Sequence, residues 1–424
     1  MLSRIQILNY RCFSFIDQEL DPFHVLVGPN ASGKTTFLDA PAFLGDLVST
    51  GLDHALDSRS PNFSDLLFLG EGSGFEIAVE MKVPADVLGK ITWDHDFDTA
   101  RYQVSIQMSA ESGQAEIQTE TLALRPAARS AAHNAPLQLS LFPADRTRPD
   151  SAMLDVRRAD MRSVINKRPQ GNDNFYPEIS ERTNKSWAPS FRLGPRRSAL
   201  GNLPEDESKY PVATWFREQL TSGLQYLILD SLIMRRPSPP GRPRVFQTDG
   251  SNLPWVIQSL RDDAPDLFDD WIAHLQTALP DLTDVITVER PEDRHRYLIV
   301  CYENGYRAPS WVVSDGTLRL LALTLPAYLP RTEGIYLVEE PENGIHPSAL
   351  ESVMQSLSHV PNAQVLVASH SQGILSGTAA NQILCFARTS AGATDIVRGS
   401  QHPRLMHWQG EVDPGTLLAA GVLS

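Results

Sequence analysis

The sequence predicts an α/β fold in which a parallel sheet carries a phosphate-binding loop at the C-terminal ends of its strands, and three stretches support that expectation. Residues 25–36 pass from an apolar run into a glycine-containing turn that ends in lysine and threonine. Residues 334–338 form a second apolar run, closed by the paired acids Glu339 and Glu340. Residues 365–368 form a third, closed by Ser369 and His370. Short apolar runs of this kind suit strands buried on both faces.

The first stretch fits the pattern G-x-x-x-x-G-K-[ST], running from Gly28 through Pro29, Asn30, Ala31, Ser32 and Gly33 to Lys34 and Thr35, with Thr36 following. Gly28 and Gly33 permit backbone geometry that a Cβ would obstruct, so successive N–H groups can converge on phosphate oxygens at a helix N-terminus. Lys34 would then reach the β and γ phosphates, and the Thr35 hydroxyl would ligate Mg2+. The apolar run at 23–27 and the helical pattern opening at 35–38 supply the strand-to-helix context that the motif requires. That helix should extend towards Leu44, but Pro41 lies inside it and removes a backbone donor, so a break is expected near Ala40.

At 424 residues the chain exceeds the usual size of one core, so a large domain with an insertion, or two domains, is expected. No run of eighteen apolar residues occurs, and Arg4, Asn9 and Arg11 interrupt the opening stretch where a signal peptide would be apolar. A cytoplasmic protein without a membrane span is therefore expected. Cys12, Cys301 and Cys385 are far apart and lack metal-ligand spacing, which suits reduced, structural thiols. The net charge of −14 argues against a surface that binds nucleic acid everywhere. Residues 146–197 nevertheless hold 12 Lys and Arg against 6 Asp and Glu, a local +6, and Arg235, Arg236, Arg242 and Arg244 crowd a proline-rich stretch. Either cluster could meet nucleic acid or an acidic partner, or be solvated loop charge.

In chain order, residues 2–27 read as two or three short strands, and residues 63–83 as strand, glycine-rich turn, strand. Residues 102–108 and 115–124 read as an antiparallel pair turning at Ser112-Gly113. Arg, Pro, Ser and Asn dominate residues 125–201, where long loops or partial disorder are expected. Helical signals follow at 212–224, 252–261 and 267–278, then strands at 285–288 and 297–300 returning towards the core.

The last third completes the site. Ser314 is a good N-cap for the apolar helix that follows, and the free N–H groups of the turn from Ser314 through Asp315 and Gly316 to Thr317 would make an anion site. Adjacent acids at a strand's C-terminal end can divide two tasks, one holding Mg2+ through water while the other polarises the attacking water. An imidazole at His370 could hydrogen-bond the γ-phosphate or that water.

GPNASGKT, SDGTLRLL, IYLVEEPENGIHP and VLVASHS occur in this order, and with the opening ILNYRCF they resemble the ABC-type ATPase heads of the SMC, RecF and OLD group. The resemblance is closest to standalone OLD-like ATPases, which are classed with the AAA type but built like ABC heads. It implies a P-loop NTPase of ABC-head type: a mixed sheet with flanking helices, an antiparallel β subdomain and a large, partly helical insert. It divides the chain into residues 1–124 and 306–400 as the two halves of the head, 125–305 as the insert and 401–424 as a tail. It implies ATP as substrate with Mg2+, held by Thr35 and Glu339, Glu340 as catalytic base and His370 as the switch histidine. Ser314, Asp315, Gly316 and Thr317 would act in trans, across a dimer of heads or a higher oligomer built from such dimers. Such heads often belong to prokaryotic defence systems and control a separate effector, commonly a nuclease. A RecF-like ATPase gripping DNA through the insert is the alternative. The chain departs from the group in having Glu339 where Asp is common, no identifiable Q-loop glutamine, no heptads and no acidic nuclease motif among the 54 residues after His370.

Overall fold

The chain opens with β1 (Leu2–Tyr10), β2 (Phe13–Glu19) and β3 (Phe23–Val27), and the last enters the glycine-containing loop at 28–33 and helix α1 (Lys34–Ser49). Next come β4 (Gly74–Lys82), β5 (Thr99–Met108), β6 (Ala115–Arg125), β7 (Arg162–Lys167), β8 (Asp173–Phe175) and β9 (Ser190–Phe191). Helix α2 (Pro211–Thr221) leads into β10 (Leu224–Leu227), followed by α3 (Leu253–Asp263), α4 (Pro265–Ala278), β11 (Leu282–Glu289), β12 (Arg296–Tyr302) and β13 (Arg307–Pro309). Helix α5 (Asp315–Thr324), β14 (Gly334–Glu339), α6 (Pro347–Ser358), β15 (Ala363–Ser369), β16 (Ile383–Arg388) and β17 (Thr394–Arg398) complete it. This computed structural model describes residues 1–92, 96–126, 142–155, 160–179, 188–204, 206–241, 245–330 and 332–403. Arg157, Arg158, Arg242, Arg244 and all but the first three residues of the expected 401–424 tail lie outside the described residues.

The central sheet runs β10-β14-β15-β3-β16-β17, parallel except for β17. Its strands alternate between two cores, as the period of two requires. Leu26, Leu337 and Leu366 face the first core with α1 and the antiparallel sheet β2-β1-β4-β5-β6-β7-β8-β9, while Val25, Val27, Val338 and Val367 face the second with α3 to α6. Helix α1 thus lies between two sheets. Four sequence expectations change for tertiary reasons.

Helix α1 runs unbroken through Pro41. An interior proline costs about 3 kcal/mol, but Phe37, Leu38, Phe43, Leu44 and Leu47 are fully buried, and each such side chain contributes roughly 1.5–3 kcal/mol. Residues 63–70 form two 3-10 turns rather than a strand. Both edges of β1 are already taken, by β2 and β4, so this segment has only an isolated bridge from Leu67 to Tyr10.

Within the stretch expected as loops, β7, β8 and β9 extend the antiparallel sheet from the open edge of β6, and a buried ion pair between Lys167 and Asp173 at 2.9 Å ties two of them. Residues 285–288 and 297–300 do not return to the central sheet, whose edges are β10 and β17; they pair with β13 as a separate three-stranded sheet. Residues 125–305 therefore contribute to all three sheets, including β10 beside the strand that ends in Glu339.

Candidate functional site

Every residue of β3 is buried, so the strand delivers the loop from the middle of the sheet. The loop crowds its neighbours. A Cβ on Gly28 would lie 2.3 Å from the Phe386 carbonyl oxygen, and one on Gly33, whose φ is 101°, would lie 2.7 Å from Cys12 Sγ. Only glycine fits both positions. Pro29, Asn30 and Ala31 form the exposed rim, while Ser32 is buried with its hydroxyl unpartnered and its carbonyl accepting from Thr394 Oγ1 at 2.9 Å. No side chain caps the N-terminus of α1, which leaves its first turn to an anion. Lys34 Nζ folds back to donate to the carbonyls of Gly28 and Pro29, at 2.8 and 3.0 Å. Burial lowers its pKa, against the opposing pull of Glu340, Glu339 and Glu342. Thr35 is exposed beside it, and Thr36 is half-buried.

Thr35, Glu339, Glu340 and Asn343 line one cavity of about 750 Å3, together with Arg11, Arg59 and Arg319. Glu339 is the last residue of β14, and its Oε1 is buried without a partner. Glu340 turns out of the sheet at a φ of 44° while its N–H still donates to Ala368 O at 2.8 Å. A non-glycine residue held there stores roughly 1–3 kcal/mol of strain. Its Oε2 accepts from Asn343 Nδ2 at 2.6 Å, and its Oε1 lies 3.4 Å from His370 Nδ1. Glu342, with one oxygen 3.7 Å from the same Nδ1, accepts there from Ser369 Oγ at 2.6 Å and from the His370 N–H at 3.2 Å. Its other oxygen is a buried orphan. The unpartnered Glu339 oxygen and the exposed Thr35 hydroxyl, on residues that line the same cavity, are hard donors of the kind Mg2+ takes. Among the described residues no cluster of three or more His, Cys, Asp or Glu has the arrangement of an all-protein metal site.

Ser314 caps α5, its Oγ accepting from the Thr317 N–H at 3.1 Å. Gly316 packs against Gly344, where a Cβ would meet the carbonyl oxygen at 2.4 Å, so the turn is wedged against the loop that follows Glu340. Ser314 and Asp315 are exposed, and none of Ser314, Asp315, Gly316 and Thr317 is among the residues lining the cavity that Thr35, Glu339 and Glu340 share. The structure brings Thr35, Glu339 and Glu340 to one cavity with His370 against Glu340, while the α5 turn touches the loop after Glu340 through Gly316 without lining that cavity.

Sequence reasoning assigned no role to Glu342, Asn343 or Ser369, although all three stand within the stretches that contain Glu340 and His370. Tyr226 had no signal at all. It lies on β10 and also lines the cavity, where burial first and then the charge of Glu339 hold its phenol protonated.

Two solved structures share the fold. The head of Smc bound to the C-winged helix domain of ScpA superposes with a TM-score of 0.53 at 12% identity, over 93% of this chain and 97% of that one. The Smc head with an extended coiled coil bound to the C-terminal domain of ScpA, derived from Pyrococcus furiosus, gives 0.51 at 10% identity, over 96% and 98%. An OLD nuclease of Thermus scotoductus is 50% identical over 48 residues, 11% of this chain and only 9% of the nuclease. The fold is therefore that of an Smc head domain. Residues 23–376, well over half of the chain, match the family described as "AAA domain, putative AbiEii toxin, Type IV TA system", and the protein belongs to that family of P-loop ATPases.

Proposed function

We propose that this protein is an ATP-hydrolysing switch whose heads associate in pairs around ATP and whose cycle controls a separate effector, a nuclease being the first candidate, in a cytoplasmic defence system. The observation that carries the reading is the convergence of Thr35, Glu339 and Glu340 on one cavity, with His370 against Glu340. The loop from Gly28 to Thr36, through its N–H groups at every position but Pro29, and the Lys34 ammonium would bind the phosphates. Thr35 and Glu339 would hold Mg2+, which supplies charge neutralisation at the β and γ phosphates. Because Asn343 occupies Oε2 of Glu340, Oε1 is the oxygen left to take a proton from the attacking water. His370, on the same side as Oε1, would orient that water or the γ-phosphate.

An exposed, capped α5 turn outside its own cavity supports a role for Ser314 to Thr317 against a second head. The DNA-gripping alternative has less support, because part of the expected free charge is neutralised within the chain. Arg146 pairs with Asp395 at 2.6 Å, Lys167 with Asp173 at 2.9 Å and Arg235 with Asp315 at 2.8 Å, and Arg196 pairs with Asp53. Arg162 stands on β7 rather than in a loop.

Mixing two inactive chains tests the composite site. Lys34→Ala removes the loop lysine and Ser314→Arg blocks the turn, so each homodimer is dead while a heterodimer retains one intact site. Recovery of ATPase activity on mixing is expected. No recovery, with heterodimers verified by native mass spectrometry, would overturn the trans arrangement for sites that fire singly.

A further inference from the structure

Arg235 was expected in a surface cluster, yet its side chain is committed to the turn that holds Ser314. Its Nη2 and Nε donate to the Val313 carbonyl at 3.0 and 3.3 Å, and the same Nη2 lies 2.8 Å from Asp315 Oδ1. One guanidinium therefore grips the residue before Ser314 and the residue after it. The arginine is itself held, since its carbonyl accepts from Ser310 Oγ at 2.9 Å and it closes the short helical turn Ser231–Met234, capped by Asp230.

Asp315 is an unusual neighbour for a phosphate. Its side chain is 54% exposed at the first position of α5, in the same turn whose N–H groups would face a second protomer's nucleotide. A carboxylate there suits the helix dipole but repels a triphosphate. We propose that Arg235 is a positioning residue that fixes the 313–315 turn and neutralises Asp315, allowing α5 to accept the nucleotide of a second copy of this chain. A guanidinium can serve both oxygens through one planar fork, whereas a lysine offers a single point charge. The inference rests on the head-pairing reading and adds a residue to it.

The test uses the full chain carrying Glu340→Gln, with ATP-dependent association followed by sedimentation velocity and ATP affinity measured separately under conditions where the chain is monomeric. Adding Arg235→Gln should weaken association by about tenfold or more while ATP affinity stays within about twofold, since the loop is untouched. Adding Asp315→Asn to that chain should recover association to within about threefold, because the uncompensated charge is gone. Asp315→Asn without the arginine change should associate at least as tightly as the Glu340→Gln chain, which keeps the proposal testable if Arg235→Gln folds poorly. Association unaffected by Arg235→Gln, no recovery with Asp315→Asn, or weakening by Asp315→Asn alone would each overturn it. If the Glu340→Gln chain itself fails to associate with ATP, head pairing is wrong and the proposal falls with it; association there with no Arg235 effect overturns the proposal alone.

Discussion

Glu178 should make stability fall as pH rises through neutrality. Its carboxylate caps α2, accepting from the Val212 N–H at 2.5 Å and the Ala213 N–H at 3.0 Å, and no residue exposure remains. Burial pushes its pKa up from 4.5 to about 7, against the opposing effect of the two backbone bonds. The folded state thus binds this proton more tightly than the unfolded chain does. The stabilisation is fully present below pH 4.5 and is lost as pH rises through 7. Linkage at 1.36 kcal/mol per pKa unit makes the full effect about 3.4 kcal/mol, of which about 2.5 kcal/mol disappears between pH 5 and pH 8. Glu178→Gln is close in shape and does not titrate. Urea unfolding of both chains at pH 5, 6, 7 and 8 gives a parent-minus-variant difference in which other titrating groups cancel. That difference should decline by about 2.5 kcal/mol across the range. A difference constant to within about 0.5 kcal/mol would show that the carboxylate titrates normally and would refute the argument. Helix α2 leads directly into β10 beside β14, so the same loss should raise amide exchange along the edge of the sheet nearest Glu339.

Replacing Glu340 by Gln should reduce ATP turnover by about 10²- to 10⁴-fold with ATP affinity retained, because the proposed base is lost and the proposed phosphate cradle is not; turnover at the parent rate, measured by phosphate release, would shift the proposed base to Glu339. Gly28→Ala would put a methyl group 2.3 Å from the Phe386 carbonyl oxygen, so the loop must move, and titration calorimetry should report ATP affinity lower by about tenfold or more. Unchanged affinity would mean that the loop adapts without cost.

The sequence alone determined the parts whose information is local. The loop between β3 and α1 is legible because glycine must stand at Gly28 and Gly33 where a Cβ would collide, at a fixed spacing ahead of a helix. The strands ending in Glu339 and Ser369 are legible because burial on both faces demands an unbroken apolar run, and the cap at Ser314 because one hydroxyl must sit beside an apolar helix. Those elements were enough to indicate an ABC-type head. The remainder depended on which edges and faces were free. Residues 63–70 had strand composition but no open ladder, whereas β7 had weak composition and the open edge of β6. Pro41 argued locally for a break that burial between two sheets overrode. Tyr226 reached the cavity only because β10, more than a hundred residues before Glu339 in the chain, pairs with β14. Arg235, surface charge by composition, found Asp315 across eighty residues of chain. Such contacts join groups with no fixed spacing in the sequence, so only the packed chain, in which each strand edge, carboxylate and guanidinium must find a partner or face water, decides them.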